Sequence, residues 1–422
     1  MQIDRVLRLI KRLIPRRLFR LAQPSYHRAL AVLGAILYRF PARSMTVIGV
    51  TGTKGKSSTC EYLNAILEAA GKKTVLISTI RIKVGDESHE ERRHMTMPGR
   101  FVIQRTLARA LRAGCTHAII EISSEGHVQS RDRFLELDCL IFTNLAPEHI
   151  EAHGSFEAYA AAKLGIAGEL AKSGKRPRII VANADDAYGA RFLETPVEHA
   201  IPFRLADAEP YVTTNARATF SFAGEQVHLR FPGEFSIMNA LAAGDAAAAL
   251  GISLPDIVRG LEGLALIPGR AQNIAEGRDF AVIIDYAHTA ESLKALYEAY
   301  DGRRRICVLG GTGGGRDAWK RPAMGAVADE YCAHVILTDE DPYDEDPEKI
   351  VAEVAAGVTK KQPEIILDRR LAIRRALSLA APGDAILITG KGSNSAICGP
   401  NGTLTPWSDA DVAREELAGK DR

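Results

Sequence analysis

The stretch VIGVTGTKGKSSTCEYL, Val47–Leu63, joins an apolar β-type run to a helical run through the turn GTKGKSS. Gly52 and Gly55 let backbone amides face outward, and the following helix offers its positive N-terminal end to an anion. Lys56 is placed to bridge the distal phosphates of a nucleotide, and Ser57 is placed to ligate Mg²⁺. The turn is shorter than GxxxxGK[ST], but its position between a strand and a helix predicts nucleotide binding.

The composition places the chain among ordinary globular proteins. It has 422 residues, 46% of them apolar and 25% charged, which is enough for two or three domains with a full core. A net charge of +2 gives no strong field, so we expect no nucleic-acid partner. The six cysteines are scattered without a CxxC pair, which argues against a zinc ribbon or a disulfide framework. We therefore expect mostly buried thiols and a cytoplasmic location.

The charge is concentrated at the front of the chain. Residues 1–44 carry ten Lys/Arg and a single acid, Asp4. Within them, an apolar stripe recurs at helical spacing: Val6, Leu9, Ile10, Leu13 and Ile14. Two interpretations stand side by side. Residues 1–40 form a peripheral basic helix that contacts anionic lipid at the inner face of a membrane, or the helix packs on the next domain with its arginines in water.

The pattern after Met45 is typical of an α/β protein. Short apolar β-rich runs alternate with helical stretches, which indicates parallel sheets covered on both faces. We predict a short basic helical extension at 1–44, a central P-loop domain with a parallel-rich sheet at 45–267, and a second, Rossmann-like α/β domain at 268–422.

Polar side chains follow two of the predicted strands. Glu121 ends the run AIIE, and ligands bind at that end of a parallel sheet, so we predict that it joins Ser57 in holding Mg²⁺. Another strand end leads into NLAPEHIEAHG, which offers four candidate metal or phosphate groups: Asn144, Glu148, His149 and His153.

Several longer motifs occur in a fixed order: VTGTKGKSST, EISSEGHVQSR, FTNLAPEHIEAHGSFEAYAAAK, GEFSIMNALAA, IPGR, DYAHTAESLK and GGTGGGRDAWKRP. Together they resemble the Mur ligases, and most closely the MurE type, which adds the third amino acid to a UDP-MurNAc-dipeptide. The resemblance runs from Met45 nearly to the end of the chain. It implies an ATP- and Mg²⁺-dependent acid–amino-acid ligase of peptidoglycan synthesis. ATP would convert a substrate carboxylate to an acyl phosphate, and an incoming amine would displace the phosphate.

The resemblance also implies roles for single residues. Lys163 matches a lysine that is carbamylated in the family, and His149 matches its partner in a second magnesium site. Lys56, Glu121, His149 and Lys163 are thus the implied catalytic set, with Ser57, Glu121, His149 and carbamylated Lys163 as metal ligands. The implied ATP-binding residues are Gly52, Thr53, Lys54, Gly55, Lys56, Ser57, Ser58, Asn144, Asn239, Arg270, Asp285, His288, Arg316 and Lys320. Arg321 belongs to the same basic element as Arg316 and Lys320.

The chain departs from MurE enzymes where the amino acid would bind. Those that use diaminopimelate carry an Asn-Pro-Arg element, whereas TDEDPYDEDP places Tyr343 at the arginine's position. Their Gly-Lys-Gly-His-Glu turn is replaced by GKGSNSAI, with Lys391, Ser393 and Asn394. An acid-rich run either attracts a cationic amine or is a solvated loop, and we prefer the solvated loop. The members of the run are Asp339, Glu340, Asp341, Asp344, Glu345 and Asp346. The identity of the amino acid stays open.

A second departure concerns the acceptor. MurE enzymes begin with a separate domain that grips the UDP-sugar, and residues 1–44 are too short for one. Four residues still match positions that contact the acceptor peptide: Thr96, Ser124, Gln129 and Arg131. We expect a muramyl-peptide-like acceptor that lacks UDP or is presented at a membrane, and a monomeric enzyme.

Competing interpretations remain at this point. Folylpolyglutamate synthase shares the two-domain plan, but its Asp-Gly-Ala-His-Asn element contrasts with DYAHT here. A Mur-type ligase of another pathway is a further alternative. An inactive nucleotide-binding regulatory subunit is less favoured, because the residues of the implied catalytic set are retained.

Overall fold

The computed structural model describes residues 16–90, 95–275 and 277–420. The stripe Val6, Leu9, Ile10, Leu13 and Ile14 lies outside the described residues. Helix α1, Arg16–Leu37, is the first described element and includes Pro24. It is followed by a 3₁₀ turn at Pro41–Ser44 and then by the first strand. No helix of the described part is long and apolar enough to cross a membrane.

An eight-stranded sheet carries the phosphate loop, in the order β4-β3-β2-β5-β1-β6-β7-β8. Strand β3 runs antiparallel to both of its neighbours, β2 and β4, and all the other neighbouring strands are parallel. Its strands are β1 (Thr46–Thr51), β2 (Thr74–Ile77), β3 (Arg81–Val84), β4 (Glu87–Glu90), β5 (His117–Glu121), β6 (Cys139–Phe142), β7 (Ile179–Asn183) and β8 (His199–Phe203).

Helices cover both faces of this sheet, which is why its central strands read as continuous apolar runs. The helices are α2 (Lys56–Ala69), α3 (Arg100–Arg112), α4 (Ser124–Val128), α5 (Ile150–His153), α6 (Phe156–Ala171), α7 (Gly189–Leu193), α8 (Glu234–Ala249) and α9 (Leu254–Gly263). One buried cluster lies under α2, α8 and α9, and a second lies under α3 and α6. A small antiparallel sheet adds β9 (Val212–Thr213), β10 (Ala218–Phe222) and β11 (Glu225–Leu229).

A six-stranded sheet forms the second half, in the order β12-β13-β17-β14-β15-β16, with only β12 antiparallel. Its strands are β12 (Gln272–Asn273), β13 (Ala281–Ile284), β14 (Arg305–Leu309), β15 (His334–Leu337), β16 (Glu364–Ile365) and β17 (Ala385–Ile388). Its helices are α10 (Ala290–Ala299), α11 (Arg321–Tyr331), α12 (Pro347–Ala355), α13 (Arg369–Ser378) and α14 (Asp409–Lys420). A hairpin of β18 (Ala396–Cys398) and β19 (Leu404–Pro406) lies beside it. The predicted α/β fold with two parallel-rich sheets is confirmed.

The argument against disulfides is wrong for two cysteines, although most of the six are thiols as expected. Cys307 in β14 and Cys332, just after α11, form a disulfide across 25 residues of sequence. The helix between them folds back onto its own strand, which brings two residues together that no short motif connects. The other four cysteines are free and buried, as expected.

Candidate active site

The two glycines of the phosphate loop are required by contacts as well as by backbone conformation. Gly52 has φ +146° and Gly55 has φ +82°, values that side chains with a Cβ rarely adopt. A Cβ at Gly52 would lie 1.9 Å from Thr143 Oγ1, and one at Gly55 would lie 2.2 Å from Asn239 Oδ1. The loop is therefore pressed between the β6 end and helix α8.

Asn144 holds the loop in shape from the end of β6. Its carbonyl oxygen accepts from the Thr53 N–H at 2.8 Å, and its Oδ1 accepts from the Lys54 N–H at 2.8 Å. Thr143 Oγ1 donates to the Lys54 carbonyl at 2.6 Å. Lys56 starts helix α2, and its Nζ donates to the Thr53 carbonyl at 2.9 Å. The amine thus lies over the turn that is predicted to hold phosphate.

Ser57 and Glu121 meet at the carboxyl ends of β1 and β5. Ser57 Oγ donates to Glu121 Oε2 at 3.0 Å, and the Thr79 N–H donates to the same oxygen at 2.8 Å. Both side chains are buried. A hydroxyl and a carboxylate side by side are hard oxygen donors of the kind that Mg²⁺ takes together with water and phosphate oxygens. Among the described residues, no three His, Cys, Asp or Glu side chains are grouped to hold a metal by themselves.

Lys163 reaches the phosphate loop from helix α6. Its side chain is buried, and its Nζ donates to the Gly52 carbonyl at 2.6 Å and lies 4.9 Å from the Tyr159 ring centroid. Burial, followed by the positive charge of Lys56, lowers the pKa of Lys163 well below its ordinary value. The environment therefore favours a neutral, nucleophilic amine.

Glu148 connects the two halves of the molecule. Its Oε1 lies 2.9 Å from Lys54 Nζ and 2.9 Å from His288 Nε2, while Lys54 Nζ and His288 Nε2 are 3.3 Å apart. Burial opposes the charged carboxylate, but Lys54 and His288 outweigh it and hold the pKa of Glu148 well below its usual range. Burial and the charge of Lys54 lower the pKa of His288 to about 3. At neutral pH the trio thus consists of a carboxylate, an ammonium and an uncharged imidazole.

Asp317 makes a second link between the halves, at the start of helix α5. Its two carboxylate oxygens accept from the backbone N–H groups of His149 (2.8 Å) and Ile150 (3.2 Å). His149 has φ +56° and lines the large open cavity of the molecule. The cap therefore fixes a left-handed residue at the edge of this cavity. Burial, more than any nearby charge, lowers the pKa of the His149 imidazole. The ring is neutral at pH 7, which suits a metal ligand.

The two predicted nucleotide residues near β13 have different surroundings. Arg270 lies 4.3 Å from the Tyr286 ring centroid and lines the cavity. Asp285 accepts from the Ala271 N–H at 2.6 Å with one oxygen and from the Ala287 N–H at 2.7 Å with the other. Asp285 therefore shapes the turn that presents Arg270, and burial raises the pKa of its carboxyl group.

The three residues of the predicted basic element, Arg316, Lys320 and Arg321, have different surroundings. Arg316 lines the cavity and lies 4.8 Å from the Tyr343 ring centroid. Lys320 is buried and does not line the cavity. Arg321 points inward, where it pairs with Glu345 at 2.9 Å and Glu353 at 2.6 Å, so its assignment to a nucleotide-facing element is wrong. Helix α11 begins at this residue, and the first turn of the helix buries its side chain.

The acid-rich run is the solvated loop that we preferred only in its second part, where Asp344 and Asp346 are exposed. Glu340 and Asp341 are buried, and Asp341 Oδ1 accepts from Lys391 Nζ at 2.7 Å and from the Cys398 N–H at 2.7 Å. Lys391 is itself fully buried, so this pair is part of the wall rather than a free charge. Asp344, Glu345 and Asp346 accept from the Asn401 N–H, from Arg321 and from the Glu348 N–H, respectively. Glu340 differs from the others, because its Oε2 is buried without a hydrogen-bond partner among the described residues.

Three of the four predicted acceptor residues also line the cavity. Thr96, Ser124 and Arg131 line it, and Ser124 Oγ lies 3.0 Å from His153 Nε2. Gln129 does not line it; its Oε1 accepts from Arg131 Nη2 at 2.7 Å and so positions the guanidinium.

A single open cavity of about 1040 Å³ brings most of the predicted site residues together. Those lining it are Thr53, Lys54, Gly55, Lys56, Ser57, Ser58, Thr96, Glu121, Ser124, Arg131, Asn144, His149, Asn239, Arg270, Asp285, His288, Arg316, Asp341, Tyr343 and Asn394. Gly52, Gln129, Lys163, Lys320 and Lys391 lie outside its lining. Lys163 nevertheless contacts the phosphate loop through Gly52.

Two residues that complete the site carry no signal in the sequence. Asp317 follows Arg316 in a glycine-rich turn, and its partners His149 and Ile150 stand more than 160 residues earlier in the chain. Tyr286, in the stretch DYAHT, is distinguished only by its ring contact with Arg270. Glu148 does appear among the candidates in NLAPEHIEAHG, but its pairing with Lys54 and His288 follows only from the tertiary structure.

Comparison with protein families gives two adjacent matches. A family model described as the Mur ligase middle domain matches residues 50–247. A second, described as the Mur ligase glutamate ligase domain, matches residues 269–392.

Individual relatives agree with these matches. A UDP-N-acetylmuramyl-tripeptide synthetase of Roseiflexus sp. is 35% identical over 422 aligned positions, which cover 94% of this chain and 83% of the relative. A solved UDP-N-acetylmuramoyl-L-alanyl-D-glutamate–2,6-diaminopimelate ligase is 26% identical, with a TM-score of 0.61 over 90% of this chain and 79% of that one. The folylpolyglutamate synthase of Mycobacterium tuberculosis, solved with ADP and AMPPCP, has a TM-score of 0.67 at 17% identity over 88% of this chain and 96% of that one, and so shows a shared fold.

Proposed function

The chain belongs to the Mur ligase family, and from this premise we propose that it adds an amino acid to a carboxylate of a muramyl-peptide acceptor at the expense of ATP. The γ-phosphoryl group passes to the acceptor carboxylate and ADP leaves. The amine of the amino acid then attacks the acyl phosphate, forms the amide and releases phosphate and a proton. The relative that the chain resembles at 35% identity favours this reaction over folylpolyglutamate synthesis, whose enzyme shares only the fold.

The observation that carries the proposal is the position of Lys163 against the phosphate loop. A P-loop that served only phosphoryl transfer to water or protein would not need a second, buried lysine bonded to the Gly52 carbonyl at 2.6 Å. Its lowered pKa makes the amine available to attack CO₂, losing one proton and gaining a carbamate with two oxygens. The carbamate supplies an oxygen ligand beside the phosphate loop.

The residues present fit a magnesium-dependent site. Ser57 and Glu121 would hold one Mg²⁺, and His149 with carbamylated Lys163 would hold a second. Bound there, the two ions would neutralise charge on the phosphates during transfer. The chain itself contributes Lys56 above the loop and the Asn144 clamp, which position the nucleotide before chemistry.

The trio of Lys54, Glu148 and His288 acts as a latch between the halves. Its members come from the phosphate loop, from the segment after β6 and from the segment after β13, and they meet within 2.9–3.3 Å. Because Lys54, Glu148 and His288 line the cavity, the latch would hold the two halves closed around substrate. Closure of this kind keeps water from the labile acyl phosphate.

The amino-acid end of the cavity favours a cationic side chain. Tyr343 and Asn394 stand where enzymes that use diaminopimelate carry an arginine and a glutamate, the charge pair that would read a zwitterionic side-chain end. Glu340 lines the same wall with an unpaired buried oxygen. Asp341 is already paired with Lys391. We therefore propose that the amino acid carries a second ammonium group, which Glu340 receives.

The remaining assignments are kept as proposals. The division at 267/268 agrees with the break between the two sheets. A monomer acting in the cytoplasm, where ATP is abundant, is the simplest form of the enzyme. The four residues Thr96, Ser124, Gln129 and Arg131 are assigned to the acceptor peptide because they match the family's acceptor positions and three of them line the cavity.

The test is a product assay with ATP and Mg²⁺. Phosphate release is measured while the common amino acids and diaminopimelate are offered with a UDP-MurNAc-Ala-Glu acceptor, with the same dipeptide lacking UDP, or with folate, and products are identified by mass. The proposal expects a muramyl tripeptide and a preference for an amino acid with a second amine. An extended folate, or ATP turnover that extends no muramyl acceptor, would overturn it.

A further inference from the structure

Helix α1 is apolar on two opposite faces, and only one of them is covered. Ala31, Gly34 and Ala35 are buried toward helix α3, where the Phe101 ring lies 3.5 Å from the position of a Cβ at Gly34. The outer face exposes large apolar side chains to solvent: Tyr26 (47%), Val32 (41%), Leu33 (54%), Ile36 (57%) and Leu37 (62%).

The outer side chains form one stripe. At about 100° per residue they fall, with Ala29, within an arc of roughly 140°, as a helix lying on a surface requires. Ser25 is the one polar residue of that arc between residues 25 and 37, and no charged residue interrupts it. Isolated apolar side chains on a surface are ordinary, but five large ones within about three turns form a patch.

The charge around the stripe selects its partner. Residues 1–44 hold ten Lys/Arg and one acid, although the whole chain has 54 Lys/Arg against 52 Asp/Glu, so the remaining residues carry more acids than bases (51 against 44). A second copy of the chain would bring two strongly basic segments together, and their repulsion opposes a dimer through this face. A nucleic acid would satisfy the charge but leave the apolar side chains in water. An anionic lipid bilayer satisfies both.

We propose that the outer face of helix α1 docks on anionic membrane surfaces, with Leu33, Ile36 and Leu37 entering the boundary between headgroups and acyl chains. The helix lies in the plane of the surface and does not cross it. The flanking arginines contact lipid phosphates, and the body of the protein, which is acidic on balance, faces the aqueous side.

Helix α1 is joined, on the side away from the docking face, to the residues assigned to the acceptor, here called the acceptor end. Arg100 Nη2 lies 2.8 Å from His27 Nδ1 of helix α1 and donates to the Gln129 carbonyl at 2.7 Å. Gln129 in turn positions Arg131, which lines the cavity. If the acceptor assignment proposed above holds, docking brings the acceptor end close to the membrane. The membrane proposal itself stands without that assignment.

The experiment is co-flotation of the full chain with vesicles of phosphatidylglycerol and phosphatidylcholine, against vesicles of phosphatidylcholine alone. The test variant is Leu33→Glu with Leu37→Glu, two exposed positions outside the catalytic machinery. The matched control is Val212→Glu with Leu404→Glu, which makes the same change of charge at two exposed apolar side chains elsewhere. Circular dichroism and nucleotide binding verify that both variants are folded.

We expect the wild type and the control to float with anionic vesicles, to release at high salt, and not to float with neutral ones. The affinity of the test variant for anionic vesicles should fall by roughly tenfold or more, because the variant loses two apolar side chains and gains two charges that the surface repels. Equal flotation of the test variant and the control would overturn the proposal. A second outcome would also overturn it: the wild type does not float with vesicles, and its molecular mass instead rises with protein concentration while that of the test variant does not. The face would then be a dimer interface. Neither outcome depends on ligase activity, so failure here leaves the proposed reaction standing.

Discussion

A methyl group added at Gly55 tests the packing of the phosphate loop against helix α8. In Gly55→Ala the new Cβ would stand 2.2 Å from Asn239 Oδ1, at a backbone φ of +82°. The left-handed conformation alone costs roughly 1–2 kcal/mol for a residue with a Cβ. Overpacking against Asn239 adds about 1–3 kcal/mol, since the amide must leave its place. We therefore expect a total loss of about 2–5 kcal/mol in local stability.

Two further variants separate these costs. Gly71 has φ +72° and, among the described residues, no atom within 4 Å of its Cβ position, so Gly71→Ala reports the backbone strain alone. Asn239→Ala removes the overlap together with one hydrogen bond, in which Asn239 Oδ1 accepts from Thr59 Oγ1 at 3.3 Å. That bond is worth about 0.5–1.5 kcal/mol. In the double variant the methyl group added at position 55 has room. The stability lost in the double variant should therefore be smaller than the sum of the two single losses by about 1–3 kcal/mol.

The assay is native-state hydrogen exchange of peptides from helix α2, Lys56–Ala69, which gives the free energy of opening that segment. ADP affinity is measured in parallel. Gly55→Ala should lower both the opening free energy and the affinity, whereas Gly71→Ala should leave the affinity unchanged. Equal effects of the two glycine substitutions, or strict additivity with Asn239→Ala, would refute the packing argument.

Other consequences concern the buried charges. Lys163→Met should reduce kcat by two orders of magnitude or more, with ADP binding retained. In CO₂-free buffer Lys163→Met should raise the free energy of unfolding near neutral pH, because the native lysine has a depressed pKa and the unfolded chain binds a proton that the folded one does not. This gain in stability should shrink as the pH rises toward 10.5. A gain that stays constant with pH would contradict the reasoning. Glu148→Gln should raise KM for ATP and lower kcat together, because Lys54 and His288 lose the charge that joins them; unchanged kinetics in a steady-state assay would argue against a latch. Glu340→Gln should raise KM for the amino acid roughly tenfold with little change in KM for ATP, and an equal rise in both would remove Glu340 from the amino-acid subsite.

Short sequence patterns predicted those features of the structure that depend on residues close together in the chain. The apolar run, the two glycines and the Lys-Ser start of a helix predicted the phosphate loop, and the continuous apolar strands predicted parallel sheets. Glu121 could be placed beside Ser57 because both follow parallel strands, whose carboxyl ends share one edge of the sheet. The ordered motifs, matched to a known family, predicted the ligase activity.

Local patterns failed where a charge finds its partner far along the chain. The acid run after β15 looks solvated in sequence, yet Asp341 is bonded to Lys391 and Glu345 to Arg321. The sequence places Arg321 in a nucleotide-facing element, but in the folded chain the first turn of its helix buries the side chain. Cys307 and Cys332 carry no spacing signal, because the strand and the helix that pair them are set by the packing of the second sheet.

The layers, the phosphate loop and the class of chemistry could be inferred from the sequence alone, because they depend on side-chain periodicity and on short motifs that act within one strand–turn–helix unit. Which charges are free to act depends instead on the folded chain. The orphan oxygen of Glu340, the latch of Glu148 and the uncovered face of helix α1 depend on what the rest of the chain packs against each group. The free energy of a buried or exposed group is set by those neighbours, and they are contributed by residues up to hundreds of positions away.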